Sequence, residues 1–252
     1  MTLRVALLFL LACLMAGCVS SGNVDPLKTE EGRQQARDAY IQLGIGYLQQ
    51  GAASRAKTPL RKALELDPRS ADAHAALALV FQTEMENDLA DKHYREALAN
   101  RKDARILNNY GSFLFEQQRY AEALERFTEA SEDNLYTERA RVFQNMGMTA
   151  LKLNQPELAE KYFTRALRLD SRQPGALLEL ALLAYEAKQY VPAKDYYDSF
   201  SRLSEQNARS LLLGIHLAHI HGNRDKAASL ALQLKRLYPG TAEYQQYLSE
   251  QR

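Results

Sequence analysis

The chain has 252 residues, with 32 basic and 31 acidic side chains and a formal net charge of +1. This balance excludes the broad basic surface that nucleic-acid-binding proteins generally present, so no nucleic-acid partner is expected. Only 12 glycines, 7 prolines and 2 cysteines occur, and tryptophan is absent. Few helix-breaking residues in a chain of this length favour a helical fold whose core does not depend on disulfides.

The first 17 residues have the features of a bacterial secretory signal peptide. Arg4 supplies the positive charge, an apolar stretch of 12 residues runs from Val5 to Ala16, and small residues follow. The stretch is shorter than the roughly 20 residues of a membrane-spanning helix. The segment 14–18, Leu-Met-Ala-Gly-Cys, resembles the lipobox of bacterial lipoproteins, in which the cysteine is acylated and becomes the first residue. Met15 stands where that family usually has leucine.

Acylation of Cys18 would anchor the mature chain firmly, because each buried methylene of an acyl chain contributes about 0.8 kcal/mol. Val19 and Ser20 follow it, without the aspartate that lipoprotein sorting rules associate with inner-membrane retention. Their resemblance to those rules implies the outer membrane. The alternative is an ordinary cleavage near Ala16 that leaves Cys18 as a free thiol. Residues 18–36 are predicted to form the acylated N-terminus and a tether.

A repeated pattern of small and bulky residues predicts the architecture of the remaining chain. Its spacing matches the tetratricopeptide repeat, a pair of antiparallel helices of about 34 residues. Gly44, Gly111 and Gly147 occupy the eighth position, where a small residue lets the two helices approach closely. Six repeats are assigned, to residues 37–70, 71–103, 104–139, 140–173, 174–207 and 208–240, and a C-terminal capping helix to 241–252.

The predicted fold is therefore an all-α solenoid, in which about six helix-turn-helix repeats stack into a right-handed superhelix. Stacking is required because no single repeat can bury its apolar face alone. The third repeat is two residues longer than the standard length around 131–134, where we expect a slight bend.

The chain offers no set of residues for catalysis. His216, His219 and His221 are the one metal-like cluster, but Gly222 follows them and no carboxylate or cysteine lies beside them. A solvated helix end is the favoured interpretation, since a metal site needs a fixed set of ligands. The segment 44–46, Gly-Ile-Gly, lacks the Gly-Lys-Ser/Thr ending of a phosphate loop. No cofactor, metal or small-molecule substrate is predicted, although an enzyme such as a cell-wall hydrolase with a hidden site is a third interpretation.

Protein binding is the favoured interpretation, because a superhelix has a concave groove lined by defined positions of each first helix. At those positions an apolar stripe is predicted to bind a peptide or strand, separate from the packing stripe of Tyr40, Leu43 and Tyr47. The candidate protein-binding residues are Ile41, Ile45, Leu48, Leu79, Gln82, Asn108 and Ser112. The alternative is that residues 23–30 or a neighbouring repeat cover the stripe.

Several stretches go beyond the generic repeat. They are 39–44 (Ala-Tyr-Ile-Gln-Leu-Gly), 107–111 (Leu-Asn-Asn-Tyr-Gly), 139–143 (Arg-Ala-Arg-Val-Phe), 207–214 (Asn-Ala-Arg-Ser-Leu-Leu-Leu-Gly) and 234–240 (Leu-Lys-Arg-Leu-Tyr-Pro-Gly). With the lipobox and Pro26-Leu27-Lys28-Thr29, they resemble the PilF/PilW family of type IV pilus biogenesis/stability lipoproteins, the pilotins. The resemblance covers nearly the whole chain.

The resemblance implies a role without catalysis. The family's lipoprotein binds subunits of the secretin, the ring-shaped outer-membrane channel of the pilus. It promotes their outer-membrane localisation and multimerisation, and thereby pilus biogenesis and twitching motility. The expected location is the periplasmic face of the outer membrane, held by the N-terminal lipid. The alternative is a general tetratricopeptide scaffold of the envelope, serving peptidoglycan hydrolases or barrel-protein assembly.

Overall fold

The computed structural model describes residues 25–251, so the predicted signal peptide and Cys18 lie outside the described residues. Within this range the chain forms thirteen α-helices and one short 3-10 helix, and no strand. After the 3-10 helix Pro26–Lys28, the α-helices are α1 (Glu30–Gln49), α2 (Ala53–Leu66), α3 (Ala71–Thr83), α4 (Asn87–Asn100), α5 (Ala104–Glu116), α6 (Tyr120–Ser131), α7 (Arg139–Lys152), α8 (Pro156–Leu169), α9 (Pro174–Glu186), α10 (Tyr190–Leu203), α11 (Ala208–Ile220), α12 (Arg224–Leu237) and α13 (Ala242–Glu250). None of these described helices combines the length and the apolar character that crossing a membrane requires.

The twelve helices α1 to α12 form six consecutive pairs, and every pair is joined in the same way. Each connection has three residues, and its middle residue adopts a left-handed backbone with φ between 58° and 72°. The amide that follows this residue donates to a carbonyl five residues earlier, as Ala52 does to Tyr47 and Arg119 to Leu114, both at 2.9 Å. This Schellman arrangement satisfies the free carbonyls at the end of the first helix and turns the chain back on itself. The six left-handed residues are Gly51, Met85, Gln118, Asn154, Lys188 and Gly222.

The helices divide into two compact units. The first contains the described residues up to Arg101 and comprises α1 to α4. Its core contains Leu60, Leu77 and Val80, all nearly inaccessible to solvent. A methyl group added to Gly44 of α1 would lie 2.5 Å from Cγ of Leu60 in α2. The backbone of α1 therefore packs directly against the Leu60 side chain at this glycine.

The second unit begins at Lys102 and comprises α5 to α13. Its second helices contribute large buried rings, including Phe127 of α6 and Phe163 of α8. These rings lie against Gly111 and Gly147, where an added methyl group would lie 2.7 Å and 2.5 Å from ring carbons. The same glycine-to-bulky-residue contact therefore recurs in both units. The last helix α13 has no buried residue, but its Tyr244 and Tyr247 pack against the cluster that contains Leu211.

Two observations differ from the sequence-based description of the first repeat. Helix α1 begins at Glu30, within the range assigned to the tether, because the Thr29 hydroxyl caps it by accepting from the Gly32 amide at 3.0 Å. Leu43 was expected in the packing stripe, yet it is 47 % exposed. The equivalent residues Leu77 and Met146 are 2 % exposed. The preceding repeat normally covers this position, and the described residues include no α-helix before α1.

Candidate peptide-binding surfaces

Ile41 is a core residue and not part of an open surface, which corrects the sequence-based prediction. Its side chain is 5 % exposed and packs with Ala63 of α2 and Ala73 of α3. The two alanines are small, so α1 can approach both helices closely enough to enclose the isoleucine. Ile41 therefore contributes to packing between the first two repeats rather than to ligand contact.

The other apolar candidates in the first unit are half-buried. Ile45 and Leu48 of α1 pack at the edge of the cluster formed by Leu77 and Val80 of α3. Leu79, also on α3, keeps part of its side chain accessible. These three residues are the accessible part of the predicted apolar stripe. A ligand that contacted them would bury aliphatic side chains whose positions are held by packing against the core.

Gln82 gives this part of α3 a polar group with a fixed orientation. Its Oε1 accepts a hydrogen bond from the hydroxyl of Tyr94 at 3.0 Å, and Tyr94 itself is fully buried. Because the tyrosine holds the amide oxygen, the amide group of Gln82 is preorganised rather than free to rotate.

The candidates of the second unit belong to a hydrogen-bonded cluster beside a small cavity. Asn108 was predicted to line the groove, but it is 3 % exposed, so it is a buried residue that cannot contact a ligand directly. Its Oδ1 accepts from Nδ2 of Asn145 at 3.1 Å and thereby orients that side chain. The Ser112 hydroxyl donates to the Asn108 carbonyl at 3.0 Å. A cavity of about 150 Å³ opens beside this cluster. Its lining is Ser112, Phe115, Glu116, Phe127, Asn145 and Met148.

This cavity has the chemistry to accept one aliphatic side chain with its backbone nearby. Phe115, Phe127 and Met148 supply the apolar wall, while Asn145 and Ser112 supply polar groups at its edge. The sequence analysis named Asn108 and Ser112 but missed Asn145 and Met148, which lie on α7 of the next repeat. The groove positions of that repeat could have indicated them, since a groove is lined by successive first helices.

The histidine cluster does not form a metal site in the described chain. Nε2 of His216 lies 2.7 Å from Oε2 of Glu250, and the ring of Tyr185 stacks on His216 at 5.5 Å between centroids. His219 and His221 are exposed. No three His, Cys, Asp or Glu side chains between residues 25 and 251 are placed to hold an ion. Burial raises the pKa of Glu250, but hydrogen bonds from Gln246 and His216 outweigh it, so its pKa lies below its usual value.

An ion pair with one buried partner connects two repeats within the second unit. Nη1 and Nη2 of Arg209 in α11 donate to Oε1 and Oε2 of Glu179 in α9, at 2.7 and 3.0 Å. The Glu179 side chain is 7 % exposed, whereas that of Arg209 is 49 % exposed. The hydrogen bond to Glu179 raises the pKa of Arg209 above its usual value. The pair has the bidentate geometry that fixes two elements in one register.

Comparison with known proteins agrees with this architecture. The tetratricopeptide repeat family matches residues 102–172 and 145–208. The type IV pilus assembly protein PilF of Pseudomonas aeruginosa is 60 % identical over 251 residues, which cover 99 % of this chain and all of the relative. A solved structure of Pseudomonas aeruginosa PilF superposes with a TM-score of 0.85, covering 87 % of this chain and 99 % of that one. The type IV pilus biogenesis factor PilW is 32 % identical, with a TM-score of 0.72 and coverage of 85 % and 99 %.

The six helix pairs, with close contacts at Gly44, Gly111 and Gly147, define a tetratricopeptide-repeat protein, the class whose helices present surfaces for other polypeptides. The full-length sequence identity of 60 % to PilF identifies one family within this class. The chain belongs to the PilF/PilW family of type IV pilus assembly and biogenesis proteins. Pilus biogenesis proteins of this kind are scaffolds and not a known class of enzyme. The resemblance noted from the sequence stretches is thereby confirmed.

Proposed function

We propose that the protein is a pilotin. In this role it binds subunits of the type IV pilus secretin, and promotes their outer-membrane localisation and multimerisation during pilus biogenesis and twitching motility. The observation that carries the proposal is the full-length identity of 60 % to a type IV pilus assembly protein. The accessible apolar surface of Ile45, Leu48 and Leu79, and the cavity beside Asn145, supply surfaces that suit a peptide segment.

Membrane attachment is the second part of the proposal. Acylated Cys18 would hold the protein on the periplasmic face of the outer membrane, and the repeats would hold the secretin subunit. Joining the two functions in one chain makes the second binding event intramolecular, with an effective concentration in the millimolar range for a short linker. Secretin subunits would therefore be concentrated at the membrane where they assemble.

The binding half is tested by a matched pair of leucine substitutions in the first unit. Leu79→Asp places a charge on the proposed surface, whereas Leu89→Asp places one on α4 at a leucine that is 40 % exposed. Losing a buried leucine contact at the interface weakens binding by about tenfold or more. We expect Leu79→Asp to reduce binding to the purified periplasmic part of the secretin, and Leu89→Asp to leave it unchanged.

Circular dichroism and urea unfolding of both variants show whether the fold is intact. The milder variant Leu79→Ala provides a second measurement if Leu79→Asp unfolds. Secretin binding that is unchanged in a folded Leu79→Asp variant, and also in Ile45→Asp, would contradict a site on α1 and α3. Co-purification of a peptidoglycan hydrolase or a barrel-assembly component in place of the secretin would favour the general scaffold.

The membrane half is tested with Cys18→Ser. We expect a soluble, folded protein that still binds the secretin, with few secretin multimers in the outer-membrane fraction. Immunoblots of separated membranes measure both. Normal multimers in the outer membrane of cells that carry only this variant would refute the coupling between anchoring and assembly.

A further inference from the structure

The connection between the third and fourth repeats differs from every other connection between repeats in the described chain. Residues 132–138 form it, seven residues between α6 and α7. The connections 67–70, 101–103, 170–173, 204–207 and 238–241 have only three or four residues. Loops that are longer than their helices require are where binding residues concentrate in folded proteins.

This loop is held in a defined conformation. The Asp133 side chain accepts from the Leu135 amide at 2.9 Å, and its carbonyl accepts from the Tyr136 amide at 3.2 Å. On the α7 side, Nε of Arg139 donates to the Ser131 carbonyl at 2.7 Å. Leu135 is nevertheless 91 % exposed, more than any other large hydrophobic side chain in residues 25–251. The hydrogen bonds of Asp133 and Arg139 therefore hold the loop in a conformation that leaves Leu135 exposed to solvent.

The loop forms one wall of a cleft of about 700 Å³, which we name the third-repeat cleft. The start of α5 and the end of α6 supply its other walls. Its lining includes Lys102, Arg105, Leu107, Glu129, Leu135 and Tyr136. The Tyr136 ring is half-buried in the wall that the loop forms, and burial raises the pKa of its hydroxyl group. Leu107 is 2 % exposed and belongs to the core beneath it.

Charge identifies the kind of ligand that fits. Four acidic residues, Asp103, Glu129, Glu132 and Asp133, line the cleft against two basic ones. Glu129 forms ion pairs with Lys102, whose Nζ lies 2.9 Å from Oε2, and with Arg126. Its charge is therefore already neutralised. Glu132 and Asp133 are exposed and line the same cleft as this ion pair and the leucine. The rim therefore combines negative charge with an exposed aliphatic side chain.

We propose that the third-repeat cleft docks an extended basic segment of a partner protein, with an aliphatic residue against Leu135 and a lysine or arginine near Glu132. The cleft shares no lining residue with the cavity beside Asn145. It is therefore a further interaction surface of the second unit, distinct from that cavity.

The test uses the mature full chain and a defined probe, a fluorescein-labelled hexapeptide of alternating leucine and lysine. Fluorescence anisotropy measures its affinity. We expect Leu135→Ser to weaken binding about tenfold, because the leucine contact is lost. Glu132→Lys should weaken it about threefold, with the larger effect at low salt. Matched controls on other surfaces of the same unit, Leu232→Ser and Glu160→Lys, should bind the hexapeptide like the wild type.

Three results would overturn the proposal. The first is equal affinity of Leu135→Ser and Leu232→Ser for the hexapeptide. The second is equal binding of an analogue with glutamate in place of lysine. The third is self-association in analytical ultracentrifugation that Leu135→Ser abolishes, since a second copy would then occupy the cleft. Leu79→Asp should leave hexapeptide binding unchanged, so a failure here is distinguishable from a failure of the proposed secretin site.

Discussion

Replacement by alanine should stabilise the protein at one glycine of α1 and not at another. Gly44 and Gly46 both lie in α1. A methyl group on Gly44 would lie 2.5 Å from Cγ and 2.6 Å from Cδ2 of Leu60, whereas one on Gly46 would have nothing within 4 Å. Leu60 is fully buried, and Cγ is its branch point rather than a flexible end. The leucine cannot move aside without disturbing the core around it.

The magnitudes follow from two opposing contributions. Alanine is more favourable than glycine in a helix interior by about 1 kcal/mol, and this gain applies at both positions. Inserting a methyl group into a packed core costs about 1–3 kcal/mol, and this cost applies only at Gly44. The helix preference cancels in the comparison. Gly46→Ala should therefore be more stable than Gly44→Ala by about 1–3 kcal/mol.

Urea unfolding followed by circular dichroism measures the difference. With a denaturant slope of about 3 kcal/mol/M, the two midpoints should differ by about 0.3–1 M. The urea midpoint of Gly46→Ala should equal or exceed that of the wild type. The midpoint of Gly44→Ala should lie below that of Gly46→Ala. Equal midpoints for the two variants would refute the close contact between α1 and α2 at Gly44.

Two further predictions concern charged groups. Glu179→Gln should lower the free energy of unfolding by about 1–3 kcal/mol, because the half-exposed Arg209 loses its charged acceptor. The exposed Glu186→Gln on the same helix should change it by less than about 0.5 kcal/mol in urea unfolding. The pKa of His93 is lowered to about 4, first by burial and then by the charge of His74. The Nδ1 atoms of the two histidines are 3.0 Å apart. An unfolded histidine has a pKa of about 6.5 and takes up the proton first, so stability should fall between about pH 6.5 and pH 4. A urea midpoint that falls as much in His93→Gln as in the wild type would contradict this assignment.

The candidate site was only partly predictable from the sequence. The repeat positions correctly indicate that Leu79 and Ser112 are partly accessible, because the helical period decides which side of a helix they occupy, whereas Asn108, also at a predicted groove position, is buried. Ile41 has the same periodicity, yet it is enclosed by two alanines from other helices. Asn145 was missed, although it bonds Asn108 and lines the cavity. Burial and partnership depend on which residues of other helices come close, and no single helix encodes that.

The helix connections show the same limit. Glycine at 51 and 222 signals a left-handed turn, but Met85 and Lys188 adopt the same backbone with φ near 60°. A left-handed conformation is unfavourable for such side chains, so the sequence gives no sign of it. The hydrogen bonds that close these turns, from the Glu86 amide to the Phe81 carbonyl and from the Gln189 amide to the Ala184 carbonyl, accompany it.

By itself, the sequence determined that this protein is a row of helical hairpins, because small residues recur at the spacing where two helices must touch. It also determined the family, through stretches that extend beyond this spacing. Only the tertiary structure decided which apolar side chains remain accessible, and that residues 132–138 hold Leu135 out beside a charged cleft. The physical reason is that helix periodicity is a local property of the chain. Exposure is set by contacts between residues far apart in sequence.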